Sequence, residues 1–272
     1  MQRLLSKLAP FQAQIERTLR PCARMVRSDA PPLPWRSQIG PAGHPYLPID
    51  RDYPRSRTSQ RPLLLLAQVN FAEVPALPGF PARGILQVFI SDEFEVRGAR
   101  RNLWGMNERD KTDQSDFRVI YHANVDTDPS NLYGPDDFDF LPAFAFAGGV
   151  GHCVGFAPGQ EPVSDADASF AARYDPALVR LVLYDRAARA EYMRVFAEHG
   201  DKNQLGGYHY SSNGIDPRPL EWTRDGRSEL LLQIDGCSEI SFGDLGSANF
   251  FILRDDLKRR DFSRVLYHWD CT

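Results

Sequence analysis

His268, Asp270 and Cys271, near the C-terminus, are the residue types from which a thiolate nucleophile is built. The imidazole would take the thiol proton and the carboxylate would orient the ring. Their spacing works against this, because on a strand His268 and Asp270 point one way and Cys271 the other. His122 stands in a similar word earlier in the chain, which gives His268 a structural explanation. Zinc needs about four N or S ligands gathered together. Only His152 and Cys153 are adjacent, and no CxxC pair occurs. No GxSxG, HExxH, P-loop or dinucleotide-binding fingerprint is present. The residues therefore assign no catalytic group, no metal and no cofactor.

Polar residues at the ends of apolar runs are better candidates. Gln68 and Asn70 close LLLLAQVN, and Gln233 and Asp235 close LLLQID. Such groups either face a cleft or satisfy backbone left open by a neighbouring loop. Asp244 lies in the tight-turn word GDLG, where it caps the turn or meets a cation. Gln68, Asn70, Gln233, Asp235 and Asp244 form the candidate ligand-binding set. A second set suits a partner. Residues 124–141 carry five aspartates and no Lys or Arg. Among them Asp136, Asp137 and Asp139, interleaved with Phe138 and Phe140, would meet a basic protein through charge and aromatic anchors. No Ca²⁺ loop of the DxDxDG type organises these carboxylates.

Positioning these residues falls to elements that the chain writes twice. SQIG (37–40) answers NQLG (203–206), and LLLLAQVN (63–70) answers LLLQID (230–235). ILQVFI (85–90) answers ANFFIL (248–253), and DFRVIYH (116–122) answers DFSRVLYH (261–268). Four matches in one order imply an internal duplication, with two repeats at about 37–122 and 203–271 and an insert between them. The apolar blocks read as strands. Residues 29–62, rich in Pro, Gly and Arg, read as an extended, turn-laden segment. Leu4, Leu8, Phe11, Ile15 and Leu19 step at helical spacing, which predicts a helical segment within residues 1–30. Ser164 with Asp167 predicts a helix start, and Leu178 to His199 predicts one helix ended by Gly200.

Whole words also carry a resemblance. LLLQID, GDLGSANFFI and VLYHWDC in the second copy resemble the YwqG-like family, a bacterial domain of unknown function. GHPYLP, LLLLAQVNFAEVP and GFPARGILQVFI in the first copy, and LGGY before DPR, are similar to it as well. Phe242 departs from the pattern, where Trp is expected before Gly-Asp. The resemblance implies a duplicated α+β fold over roughly residues 37–271 and brings no established catalytic residues. Relatives beside bacterial toxin genes imply an immunity or antitoxin role.

Composition sets the remaining bounds. The 272 residues are 42% hydrophobic and 25% charged, with a formal charge of −4. That balance suits one large soluble domain and argues against a nucleic-acid partner. No run reaches the roughly 18 apolar residues of a membrane span, and no export signal is legible in MQRLLSKLAPFQAQ, so a cytoplasmic location is expected. Cys22, Cys153, Cys237 and Cys271 are then expected as reduced thiols. The leading expectation is a non-enzymatic protein-binding module of the immunity type, with a basic toxin as partner. The alternative is a small-molecule binder or enzyme with its site between the repeats.

Overall fold

A computed structural model describes residues 7–40, 44–97, 100–138, 151–197, 202–236, 242–244 and 246–271. In chain order the elements are α1 (Gln12–Glu16), β1 (Arg20–Arg27), β2 (Gln38–Ile39), β3 (Leu64–Asn70), β4 (Ile85–Ile90), β5 (Phe94–Arg97), β6 (Arg100–Leu103) and β7 (Phe117–His122). There follow β8 (His152–Glu161), α2 (Phe170–Arg173), α3 (Pro176–Tyr184), α4 (Arg186–Ala197) and β9 (Gln204–Gly206). The chain closes with α5 (Leu220–Thr223), β10 (Ser228–Asp235), β11 (Ser247–Leu253), α6 (Arg254–Arg259) and β12 (Leu266–Asp270). The class is α+β, dominated by one curled antiparallel sheet.

That sheet has ten strands in the order β12-β11-β10-β9-β1-β8-β2-β3-β4-β7, and β5 and β6 form a separate hairpin. The order reads outward in the same way from the central β1–β8 pair. The blocks that recur in sequence occupy matching places: β2 and β9, β3 and β10, β4 and β11, β7 and β12. Gln38 pairs with Gln68, as Gln204 pairs with Gln233. A register shift lies between Leu65 and Ala67 in β3 and between Leu230 and Leu232 in β10. Counted from it, Gln87 corresponds to Asn249. The sequence alignment of ILQVFI with ANFFIL is therefore displaced by one residue, because the bulge and not the apolar pattern sets the register. The outer pairing differs again: His122 faces Ile85, whereas His268 faces Asn249.

The apolar runs of β3, β4, β10 and β11 are continuous because both faces of these strands are buried. On the inner face, Leu66, Val69, Val88, Phe117, Leu231, Phe250 and Tyr267 join one core drawn from both ends of the sheet. The sheet curls until its edges meet, with the rings of Phe117 and Tyr267 5.2 Å apart. On the outer face of the first half, Tyr46 covers Ile85, and Tyr53 packs on Leu63, Leu65 and Phe89. The Pro-rich segment is thus a lid, and its prolines keep it extended against the strands. The stretch 207–227 does the same for the second half, setting Trp222 against Leu230, Phe251 and Leu266.

The helices form a small core of their own, in which Ile15, Phe170, Leu178, Val182 and Tyr192 meet. Three expectations are corrected here. Among the described residues, the helical spacing of the N-terminal segment survives only in α1 and the 3-10 turn Ala9–Phe11 before it, Arg20–Arg27 is a strand, and Leu4 lies outside the described residues. Cys22, Ala23 and Met25 are buried there, and hydrogen bonding to β8 on one side and β9 on the other overrides local helix preference. Ser164 opens a turn instead of a helix, and α2 begins at Phe170. The helix expected over 178–199 is two, split at Asp185. The Asp185 carboxylate accepts from Ala187 N–H and Ala188 N–H at 3.0 and 2.9 Å, capping α4. His199 lies outside the described residues.

Candidate functional site

Gln68, the leading polar candidate, is fully buried on the outer face of β3 and is consumed by structure. Its Oε1 accepts from Tyr46 N–H at 2.9 Å and from Gln87 Nε2 at 2.8 Å. Its Nε2 donates to the Pro34 and Arg36 carbonyls, both at 2.7 Å. Gln87 in turn donates to Tyr46 O and meets His122 Nε2 at 3.0 Å. Asn70 caps the following 3-10 turn through Ala72 N–H and donates to Trp35 O. These side chains satisfy backbone groups of the lid at Pro34, Trp35, Arg36 and Tyr46.

The second half repeats part of this. Gln233 Oε1 accepts from Tyr210 N–H at 2.8 Å, and Asn249 Nδ2 donates to Tyr210 O at 3.2 Å. Gln38 and Gln204 donate to the carbonyls of His44 and Tyr208, each two residues before the matching tyrosine. Asp235 accepts from Lys202 N–H. Yet Gln233 Nε2, Asn249 Oδ1, His209 Nε2 and His268 Nδ1 are buried without a hydrogen-bond partner. Asn249 is one methylene shorter than Gln87 and does not reach Gln233. Four strands separate β3 from β10, so the sheet does not bring the two glutamines together. Asp244 lies exposed in the turn begun by Gly243.

Beside the unpartnered atoms lies a buried ion cluster. Arg218 forks onto Asp216 at 2.9 and 2.7 Å, reaches Asp167 at 2.8 Å, and lies over the Phe251 ring. Burial would raise the Asp167 carboxyl, but Arg218 and Ser169 outweigh it and hold it at about 2. Burial, with help from the Arg218 charge, pushes His209 down to about 4. Burial and the Lys111 charge do the same to His268. Asp167, His209 and Asp216 bring ligand atoms within 4.8 Å of one another, which is the chemistry of a divalent-cation site. The guanidinium, however, already stands between the carboxylates, and Ser169 and Ala168 fill their other valences. The cluster is an ion-pair clamp tying the 167 turn to the 216–218 turn.

The C-terminal triad does not assemble. Asp270 accepts from both hydroxyls of Ser211 and Ser212 at 2.6 Å, and His268 Nε2 is 3.9 Å from its carboxylate. Cys271 lies on the side of Trp269, against Gly243. Cys22 is buried, and burial beside Glu161 pushes its thiol up to about 12, far from a thiolate.

An open cavity of about 530 Å³ lies instead at the lid of the first half, lined by Leu47, Asp52, Tyr53, Arg55, Tyr133, Asp137 and Phe138. The Pro-rich lid supplies four of these residues and the acidic segment three. Phe138, in the 3-10 turn Pro135–Phe138, is buried. Its ring stacks on His44 and meets Tyr53 and Tyr133 edge-on, with centroids 6.0 and 6.4 Å away. Asp137 Oδ2 holds Gly134 N–H at 2.7 Å, fixing the turn, and both Asp136 and Asp137 are exposed. Asp126 and Asp128 are engaged in their own turns through Asp128 N–H and Ser130 N–H. Asp139 and Phe140 lie outside the described residues. Sequence reasoning reached Asp137 and Phe138 but missed Asp52, Tyr53 and Arg55. The aromatic and charged words RDYPR and DDF, each beside a proline, were the available signal.

A family model described as Domain of unknown function (DUF1963) matches residues 37–271. No curated protein matches the chain. The matched span takes in the strands from β2 to β12, most of the first lid, all of the second and the described cavity lining, so the chain belongs to this family, DUF1963, whose function is unknown.

Proposed function

We propose that the chain is a non-enzymatic binding module that seats a basic protein partner on the acidic face of residues 124–138, as an immunity or antitoxin protein would. The observation carrying this reading is the open cavity with its two exposed carboxylates, Asp52 and Asp137, and aromatic walls. A concave, partly apolar site with few charges is a common form of recognition surface. The scaffold behind it is rigid, because the polar residues nominated in β3 are spent on holding the lid. The described cysteines Cys22, Cys153 and Cys271 are free thiols, which supports a cytoplasmic home. No described helix is long and apolar enough to cross a membrane, and neither membrane nor nucleic acid enters the reading.

We also read the two halves as copies of one unit, in a family of the YwqG-like type. Strand order, the matched bulges and the paired glutamines support this. So do Gly40 and Gly206, which end β2 and β9 with φ of 61° and 69°.

The test is capture of the partner from the native host, followed by stopped-flow association. Asn at Asp136, Asp137 and Asp139 should slow association while leaving stability within about 0.5 kcal/mol. The loss should shrink at high salt. Unchanged kinetics would sink the reading. One observation favours a second reading, a small polar ligand under residues 207–218: the four unpartnered atoms of Gln233, Asn249, His209 and His268. In that case Asn249→Ala would abolish binding and the aspartate changes would not.

A further inference from the structure

We propose that the cavity at Tyr53, Tyr133 and Phe138 recognises one alkylammonium group, the side chain of a lysine on a basic protein partner; this rests on the binding-module reading above. Charge sets the sign of the guest. Among the described lining residues, Asp52 and Asp137 bring two negative charges and Arg55 one positive charge, a net negative charge for a single cation. Asp52 is exposed and makes no hydrogen bond or ion pair with the described residues. Asp137 uses Oδ2 for the Gly134 N–H, which leaves Oδ1 for a guest. The Arg55 guanidinium is directed to the Gln60 carbonyl at 3.1 Å.

Ring geometry sets the shape. Tyr53 and Tyr133 stand at 66° and 69° to Phe138, so the walls are mutually tilted. A compact ammonium is attracted to a ring face from any direction, whereas a planar guanidinium prefers a parallel one, so tilted rings favour the ammonium. Leu47 gives the methylene stem an apolar wall while the charged head stays with the carboxylates. The volume, about 530 Å³, admits the side chain with the backbone that carries it.

The experiment is an NMR titration of the full chain with N-acetyl-lysine methylamide. Its Nε-acetylated form, of similar shape but uncharged, and the arginine analogue are run in parallel. The lysine probe should shift the Tyr133, Asp137 and Phe138 amides saturably, and the acetylated probe should not. The double variant Asp52→Asn, Asp137→Asn keeps the Gly134 acceptor and should weaken the lysine probe by about tenfold. Tyr133→Leu should weaken it by about threefold. Asp255→Asn, an exposed aspartate in α6 outside both the cavity and the acidic segment, should leave it unchanged. Equal response to the acetylated probe, tighter binding of the arginine analogue, or indifference to the double variant would each overturn the inference. A partner that loses binding in the double variant while the lysine probe never binds would spare the module and remove the lysine pocket. A lysine probe that binds while a captured partner ignores the double variant would do the reverse.

Discussion

Gln68 Nε2 donates to the Pro34 and Arg36 carbonyls at 2.7 Å, whereas Gln233 Nε2, at the matching place in β10, is buried without a partner. Lid carbonyls close the polar network around Gln68, and the amide nitrogen of Gln233 meets no such carbonyl. The two halves should therefore respond differently to the same change. Gln68→Leu strands the Tyr46 N–H, two carbonyls and the Gln87 amide, and should cost about 3 kcal/mol. Gln233→Leu strands only the Tyr210 N–H and removes an unpaired group, and should cost about 1 kcal/mol. Urea denaturation of both variants measures the difference, and equal losses would mean that the halves are equivalent.

Arg218 is the cation that two buried carboxylates require. Arg218→Met should destabilise by about 3–5 kcal/mol, because Asp167 and Asp216 would be left charged and unneutralised. Adding Asp167→Asn and Asp216→Asn should restore much of the loss. If a divalent ion shared the cluster, wild-type stability would instead fall on treatment with a chelator.

The buried histidines predict acid sensitivity well above the carboxylate range. His209 and His268 sit at about 4 when folded, against roughly 6.5 when unfolded. Between these values the unfolded chain binds more protons, so stability is complete above about 6.5 and falls as the pH drops towards 4. Each ring should account for about 2 kcal/mol by pH 4.5. His122, also at about 4, adds a share in the first half. Asp167 acts lower still: its contribution is present above about 4 and is lost as the pH falls towards 2. Urea midpoints measured from pH 8 to 4.5 test this, and His268→Gln should flatten the slope.

Thiol chemistry should follow burial. Native protein at pH 8 should leave Cys22 unmodified by a thiol reagent, since its thiol is held at about 12. Denatured protein should yield four equivalents, with Cys237, which lies outside the described residues, among them. Rapid native modification of Cys22 would show that the β1–β8–β9 region opens.

Much of the sheet was legible because its strands are buried on both faces, and such strands read as unbroken apolar words. LLLLAQVN and LLLQID needed no tertiary information to be read as strands. The glutamine in each was visible too, since a polar residue closing an apolar run must find a partner. β1 was not legible. RPCARMVR carries no strand pattern, and its conformation comes from the backbone hydrogen bonds of β8 and β9, which lie far away in sequence.

Sequence alone determined the α+β class, the recurring words, the extended lid and the acid-rich segment, because local polarity and turn chemistry write these directly. Tertiary structure decided which side chains meet. Asp52 and Tyr53 line one cavity with Asp137 and Phe138 only because the lid crosses the outer face of β3 and β4 beside residues 124–138. Asp167 and Arg218 are 51 residues apart and join only because the helical insert returns to the lid of the second half. The length of one side chain, Asn249 against Gln87, acquires meaning only once strand register places each beside its glutamine. Register is set by bulges and long-range pairing, and neither leaves a local mark in the chain.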